Sequence, residues 1–273
     1  MLDKGETKVL LQYVINALTS RNITPRLLGE LCDWIEESAD MLGLNPLEPK
    51  SIAMVEGLRE IRSADQYDAG EQLSKYLKEF LPHYRATLRR LKRCKESSLT
   101  NNLSALQKRM RLTSDEQEVF GLIARYHRVR AVEDFCDTLT RSNIKNEYVV
   151  ALLTDLSVDQ VARVLHKSSR LFKLGLLKPS GRASLNFLSD ISTNDLALNA
   201  LFKADGTIES FRQCVLGDPA DANLGWGDFT HLEPASDRLA AFLKKTCEMG
   251  LGGVNVLLHG PPGTGKTEFT KTV

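Results

Sequence analysis

The octapeptide Gly260-Pro261-Pro262-Gly263-Thr264-Gly265-Lys266-Thr267 constrains this chain more than any other feature. It has the form G-x-x-x-x-G-K-[ST], and each part has its own physical task. Glycines let backbone N–H groups turn inward around phosphate oxygens, the lysine reaches the β- and γ-phosphates, and the Ser/Thr hydroxyl ligates Mg2+. The preceding run Val254-Asn255-Val256-Leu257-Leu258 is short, apolar and β-branched, which predicts a buried parallel strand. Glu268, Phe269, Thr270 and Lys271 are expected to begin a helix whose N-terminal end faces the same phosphates. Strand, loop and helix together predict the opening of a P-loop α/β domain. The plain alternative is a glycine-rich turn that holds no phosphate.

Val273 stands less than two helical turns past Thr267. Phosphoryl transfer to water also needs an acidic metal ligand, a group that orients water and an arginine for the developing charge. The chain is therefore expected to be the front of a longer protein, with its catalytic residues beyond Val273. Taken alone it is expected to bind nucleotide weakly or not at all and to leave ATP intact.

Composition adds bounds. A chain of 273 residues has room for one large domain or two to three small ones. Hydrophobic and charged contents of 42% and 26% are those of an ordinary globular protein. A net charge of +1 argues against a nucleic-acid coat or a strongly acidic partner, local patches aside. Cys32, Cys94, Cys136, Cys214 and Cys247 are scattered, with no C-x-x-C pair to point to zinc or redox chemistry. The first residues lack a signal-peptide layout and no apolar run reaches spanning length. A cytoplasmic chain with no membrane association is expected.

The fold expected is mostly α. Residues 1–100 read as a helical N-terminal domain. Val9, Leu10, Leu11, Val14, Ile15 and Leu18 recur at helical spacing, as do Leu27, Leu28, Leu31, Trp34, Ile35 and Leu42. Residues 45–49 break the pattern, 52–61 predict a third helix, and a fourth runs from about Ala69 to Leu91, with a kink expected at Pro82. Acids dominate residues 30–71 and bases 75–111. This reads either as a basic face for nucleic acid or an acidic partner, or as two helical faces that neutralise each other. The polar residues 95–102 read as a hinge.

Residues 112–190 read as a winged-helix-like α+β domain. Thr113 with Glu116, and Ser157 with Gln160, form capping-box patterns. Three helices, the last carrying Val161, Val164 and Leu165, are followed by a hairpin that turns at Pro179, Ser180 and Gly181 and returns over 183–188. In that layout the third helix presents Asp159, Gln160, Arg163, His166 and Lys167, with Lys178 and Arg182 on the wing, to DNA or to protein. Residues 191–220 read as a linker with short helices, and 221–273 as the truncated start of the P-loop α/β domain.

From Leu224 on, the chain resembles the start of an AAA-family ATPase module. The residues that carry this are Trp226-Gly227-Asp228-Phe229-Thr230-His231-Leu232, a helix expected over 235–249, and the P-P-G-T-G-K-T form of the loop followed by Glu268. The resemblance implies ATP and Mg2+ as cofactors, Thr267 on the Mg2+, and Gly227, Asp228 and Phe229 near the adenine. It implies an ATPase that remodels a macromolecular target selected by its N-terminal domains. The metal-binding acid, sensors and arginine finger would lie beyond Val273. It further implies a homo-hexameric ring for the parent, with no ring from this chain alone. The first two hundred residues resemble, more loosely, the helical and winged-helix N-terminal regions of bacterial AAA ATPases. A different class stays open: an adaptor that binds protein or nucleic acid and whose P-loop is inactive. Residues 260–273 are expected to be poorly ordered or held by the 235–249 helix.

Overall fold

The computed structural model describes residues 2–20, 25–44, 66–140, 145–179, 191–203, 207, 213, 220–251 and 253–273. The chain is mostly helical, and the described strands are two short ones. Two compact units result, Met1–Val215 and Leu216–Val273.

The first unit is built around α1 (Lys4–Thr19). Asp3 caps it, its carboxylate accepting from the Gly5 N–H at 3.2 Å. Leu10, Leu11, Tyr13, Val14, Ala17 and Leu18 are all buried, a spread wider than one amphipathic stripe, which places the helix in the interior. α2 (Pro25–Glu37) and α3 (Ala39–Leu42) follow, then α4 (Gln66–Leu91), which contains Pro82. α5 (Ser98–Met110), α6 (Ser114–Tyr126), α7 (Arg130–Thr140), α8 (Asn146–Thr154), α9 (Val158–Leu165) and α10 (Arg170–Lys173) complete the helical part before the strands. α1 packs on α4 and α8, and α2 packs on α4 and α7, where the Trp34 and Phe135 ring centroids lie 4.5 Å apart. One apolar cluster reaches from Leu10 to Leu201. Helices on both sides of residues 100–112 therefore share a core.

Both capping boxes form. The Thr113 N–H donates to Glu116 Oε2 at 2.8 Å and the Glu116 N–H to Thr113 Oγ1 at 3.1 Å. Ser157 and Gln160 exchange the same pair of bonds at 3.0 and 3.2 Å.

Two expectations need correction, and several, the break over 45–49 among them, fall outside the described residues. Residues 95–102 are no hinge: Ser97 caps α5 and is buried, and Asn102 Nδ2 donates to the Leu201 carbonyl at 2.7 Å, tying α5 to α11 (Asp195–Lys203). Polar side chains here satisfy buried backbone, which composition alone does not distinguish from solvation. α8 is a helix beyond the three expected; its run Tyr148-Val149-Val150-Ala151-Leu152-Leu153 has no polar stripe because it is largely buried. The hairpin pairs β1 (Leu177–Pro179) with β2 (Ile191–Thr193), antiparallel, in the register Leu177 to Thr193 and Pro179 to Ile191. The expected return over 183–188, Arg182, the helix over 52–61 and Cys214 lie outside the described residues.

A buried ionic cluster joins α1, α5 and α6. Arg125 Nε stands 2.7 Å from Glu6 Oε2, Nη2 donates to Thr100 Oγ1 at 2.8 Å, and Nη1 to the Gly121 carbonyl at 3.2 Å. The Ser97 hydroxyl donates to Glu6 Oε1. The close approach depends on Gly5: a Cβ there would lie 2.4 Å from Ser97 N and 2.9 Å from Ser97 Cα. Backbone cannot yield as a flexible side chain does. Gly5→Ala is expected to destabilise the unit by about 1–3 kcal/mol despite alanine's better helix propensity, read by urea unfolding. An unchanged or higher midpoint would mean that α1 and Ser97 are not in contact.

Candidate phosphate-binding site

The second unit contains a 3-10 helix (Trp226–Leu232), α12 (Ala235–Glu248) and α13 (Lys266–Thr272). The motif loop runs directly into α13. Gly263 and Gly265 have φ of 80° and 78°, the left-handed region in which a Cβ is strained, so the loop's path requires glycine at both. Lys266 turns back on its own loop. Its Nζ donates to the Gly260 carbonyl at 3.0 Å, the Pro261 carbonyl at 2.6 Å and Thr264 Oγ1 at 3.3 Å. The Thr264 hydroxyl donates to the Pro261 carbonyl at 3.0 Å. A lone ammonium is thus gathered with the loop's carbonyls, while Pro261, Pro262, Thr264 and Thr267 are exposed. Such a loop and lysine fit a phosphate chain, whose oxygens would take the place of those carbonyls around Nζ.

The unit's packing centres on two rings. Phe229 and Phe269 are 3% and 5% exposed and meet edge-on at 5.1 Å between centroids. Trp226 stands 6.0 Å from Phe269. A Cβ on Gly265 would lie 3.6 Å from Phe229 Cε1, so the ring abuts the loop. Two polar links accompany the rings. Glu268 Oε2 accepts from the Asn223 N–H at 3.0 Å and Thr272 Oγ1 donates to the Leu224 carbonyl at 2.9 Å. The bond from Lys271 at 2.7 Å, then that from Asn223, holds the Glu268 carboxyl below its ordinary pKa. Seating of α13 runs to residues 223–229.

Among the expected base-side residues, Asp228 is exposed and its Oδ2 accepts from the Gly225 N–H at 2.8 Å. Phe229 is part of the core. Trp226 Nε1 donates to Asp237 Oδ1 at 3.2 Å.

The expected buried strand over 254–258 is not found. Val254, Val256 and Leu257 are 38%, 45% and 85% exposed, and no strand pairing is present there. A parallel strand owes its burial to strands on its edges and helices on its faces. Among the described residues of this unit no other strand supplies an edge.

In the first unit, Asp159, Arg163, His166 and Lys167 are exposed. Gln160 is instead engaged inward, with Nε2 donating to Asp115 Oδ2 at 3.0 Å. Lys178 is exposed on β1. Part of the basic run is structural: Arg90 Nη2 donates to the Gly43 carbonyl at 3.0 Å. Among the described residues no three His, Cys, Asp or Glu side chains gather as a metal site, and no helix is long and apolar enough to cross a membrane.

The Glu268 and Thr272 links have no signature in the sequence. Their partners are backbone atoms at Asn223 and Leu224, which leave no mark in side-chain pattern. No protein-family model, curated protein or solved structure matches the chain.

Proposed function

We propose that residues 260–267 bind the phosphates of ATP, with Mg2+, as the opening of an AAA-type ATPase module. The observation that carries this reading is Lys266 Nζ gathered with the Gly260 and Pro261 carbonyls, in a loop turned by left-handed Gly263 and Gly265. In this reading Lys266 holds the β- and γ-phosphates, amides from Thr264 to Thr267 donate to phosphate oxygens, and the Thr267 hydroxyl is a Mg2+ ligand. The Thr267 hydroxyl would hold Mg2+, which would supply neutralisation of charge on the phosphates. Gly227 and Asp228 lie beside the base, with Phe229 behind them.

The activity proposed for the complete module is ATP hydrolysis coupled to remodelling of a macromolecular target, in a homo-hexameric ring; this chain alone is expected to leave ATP intact and to form no ring. The helical unit selects the target, a protein, with α9 and the hairpin as a winged-helix-like contact. A second reading, an adaptor that binds protein or nucleic acid with an inactive loop, is favoured by the extensive core that Met1–Val215 holds by itself.

Titration of the chain with millimolar Mg·ATP, followed by amide NMR, tests the assignment. Shifts are expected at Gly263, Thr264, Gly265, Lys266 and Thr267. Lys266→Ala is expected to weaken binding by at least about tenfold, roughly 1.4 kcal/mol, with its circular dichroism unchanged. Wild-type affinity in that variant would refute the assignment.

A further inference from the structure

We infer that Glu268 and Thr272 are positioning residues that fix residues 223–229 against the phosphate loop, and so set affinity for the nucleoside part of the ligand as distinct from its phosphates. This rests on the phosphate-binding reading above. Glu268 and Thr272 are four residues apart on α13, hence on one face, one above the other. They take consecutive residues of the facing segment, one through its donor and the next through its acceptor: the Asn223 N–H at 3.0 Å and the Leu224 carbonyl at 2.9 Å, the single Thr272 hydroxyl proton being shared between Leu224 and the Glu268 carbonyl, also at 2.9 Å. Two attachments of opposite polarity set both the height and the direction of the segment along the helix. Between them in sequence, Phe269 packs on Phe229, and Phe229 abuts Gly265 of the loop. Loop, ring, segment and helix form a closed circuit, so the segment cannot shift without breaking one of these contacts.

The segment also has open space at Gly227, two residues before Phe229, whose ring abuts the loop. A Cβ at Gly227 would meet nothing within 4 Å, and one at Gly225 only Asp228 Oδ2 at 3.9 Å. At Gly225 the N–H donates to Asp228 Oδ2 and the C=O accepts from the Asp228 N–H, so Gly227 is the place left open for the edge of a planar heteroaromatic base with its ribose. The nucleoside of a ligand held by the loop would take this open side of the segment, with the buried Phe229 ring behind it. The phosphates, held within 260–267, do not depend on it.

The experiment compares Mg·ATP with Mg·tripolyphosphate on the whole chain, as wild type, Glu268→Ala, Glu268→Gln and Thr272→Val. Glu268→Ala and Thr272→Val are each expected to weaken ATP by about 5–10-fold and tripolyphosphate by less than about twofold, the loss of one charge-assisted or neutral hydrogen bond. Glu268→Gln keeps a carbonyl oxygen for the Asn223 N–H and is expected to retain most ATP affinity. Without ligand, the Asn223 amide is expected to exchange with solvent faster in Glu268→Ala. Equal loss for both ligands, or no loss for either, overturns the positioning role while leaving the phosphate loop in place. If Glu268→Ala does not fold, Thr272→Val carries the same comparison. A wild-type chain that binds neither ligand removes the phosphate reading itself.

Discussion

Arg125→Met is expected to lower the stability of Met1–Val215 by about 3–5 kcal/mol, measured by urea unfolding with Trp34 fluorescence as the probe. Glu6 and Arg125 are 7% and 4% exposed. Among the described residues, removing the guanidinium leaves the Glu6 carboxylate with the Ser97 hydroxyl alone in an interior that solvates charge poorly. It also strips the Gly121 carbonyl and Thr100 Oγ1 of a donor. Trp34 suits the measurement because it packs on Phe135 in the same core. The double variant Glu6→Leu with Arg125→Met should recover much of the loss, because no isolated charge then remains. A single-variant loss below about 1 kcal/mol would show that water reaches the pair and that it behaves as a surface bridge.

Phe269→Ala is expected to unfold the second unit. Truncating a buried phenylalanine costs about 3–5 kcal/mol. Among the described residues of Leu216–Val273 the buried apolar side chains are Phe229 and Phe269, so little else stands against that loss. The chain has two tryptophans, Trp34 and Trp226, and a Trp34→Phe background leaves Trp226, 6.0 Å from the Phe269 ring, to report on this unit. Its emission should shift to that of a solvated indole in Phe269→Ala. Native-like emission, with the Asn223 amide still protected, would mean that the polar links alone seat α13.

What was legible in the sequence was local. Capping boxes at Thr113 and Ser157 are readable because donor and acceptor lie three residues apart, and both form. The helices of α1 and α2 announce themselves by apolar spacing. α8 hides because a helix that is largely buried loses its polar stripe, and a continuous apolar run is as much a strand as a helix. Residues 95–102 mislead for the opposite reason: Ser97 and Asn102 are polar yet buried, matched to partners 91 and 99 residues away. The pairing of Glu6 with Arg125 spans 119 residues and has no local signature. At the candidate site the loop is written in side chains and glycines and is legible in the sequence. Its supports are written in backbone contacts to Asn223 and Leu224, visible only in three dimensions.

The exposed run Val254, Val256 and Leu257 has a colloidal consequence. A β-rich apolar segment with free N–H and C=O groups is a template for edge-to-edge pairing between chains, and self-association should rise with concentration. The template is short. Pro261 and Pro262 have no N–H to donate, so an intermolecular ladder that began at Val254 would stop within about two residues of Gly260. The same prolines that shape the loop act as gatekeepers, favouring small reversible clusters over long fibrils.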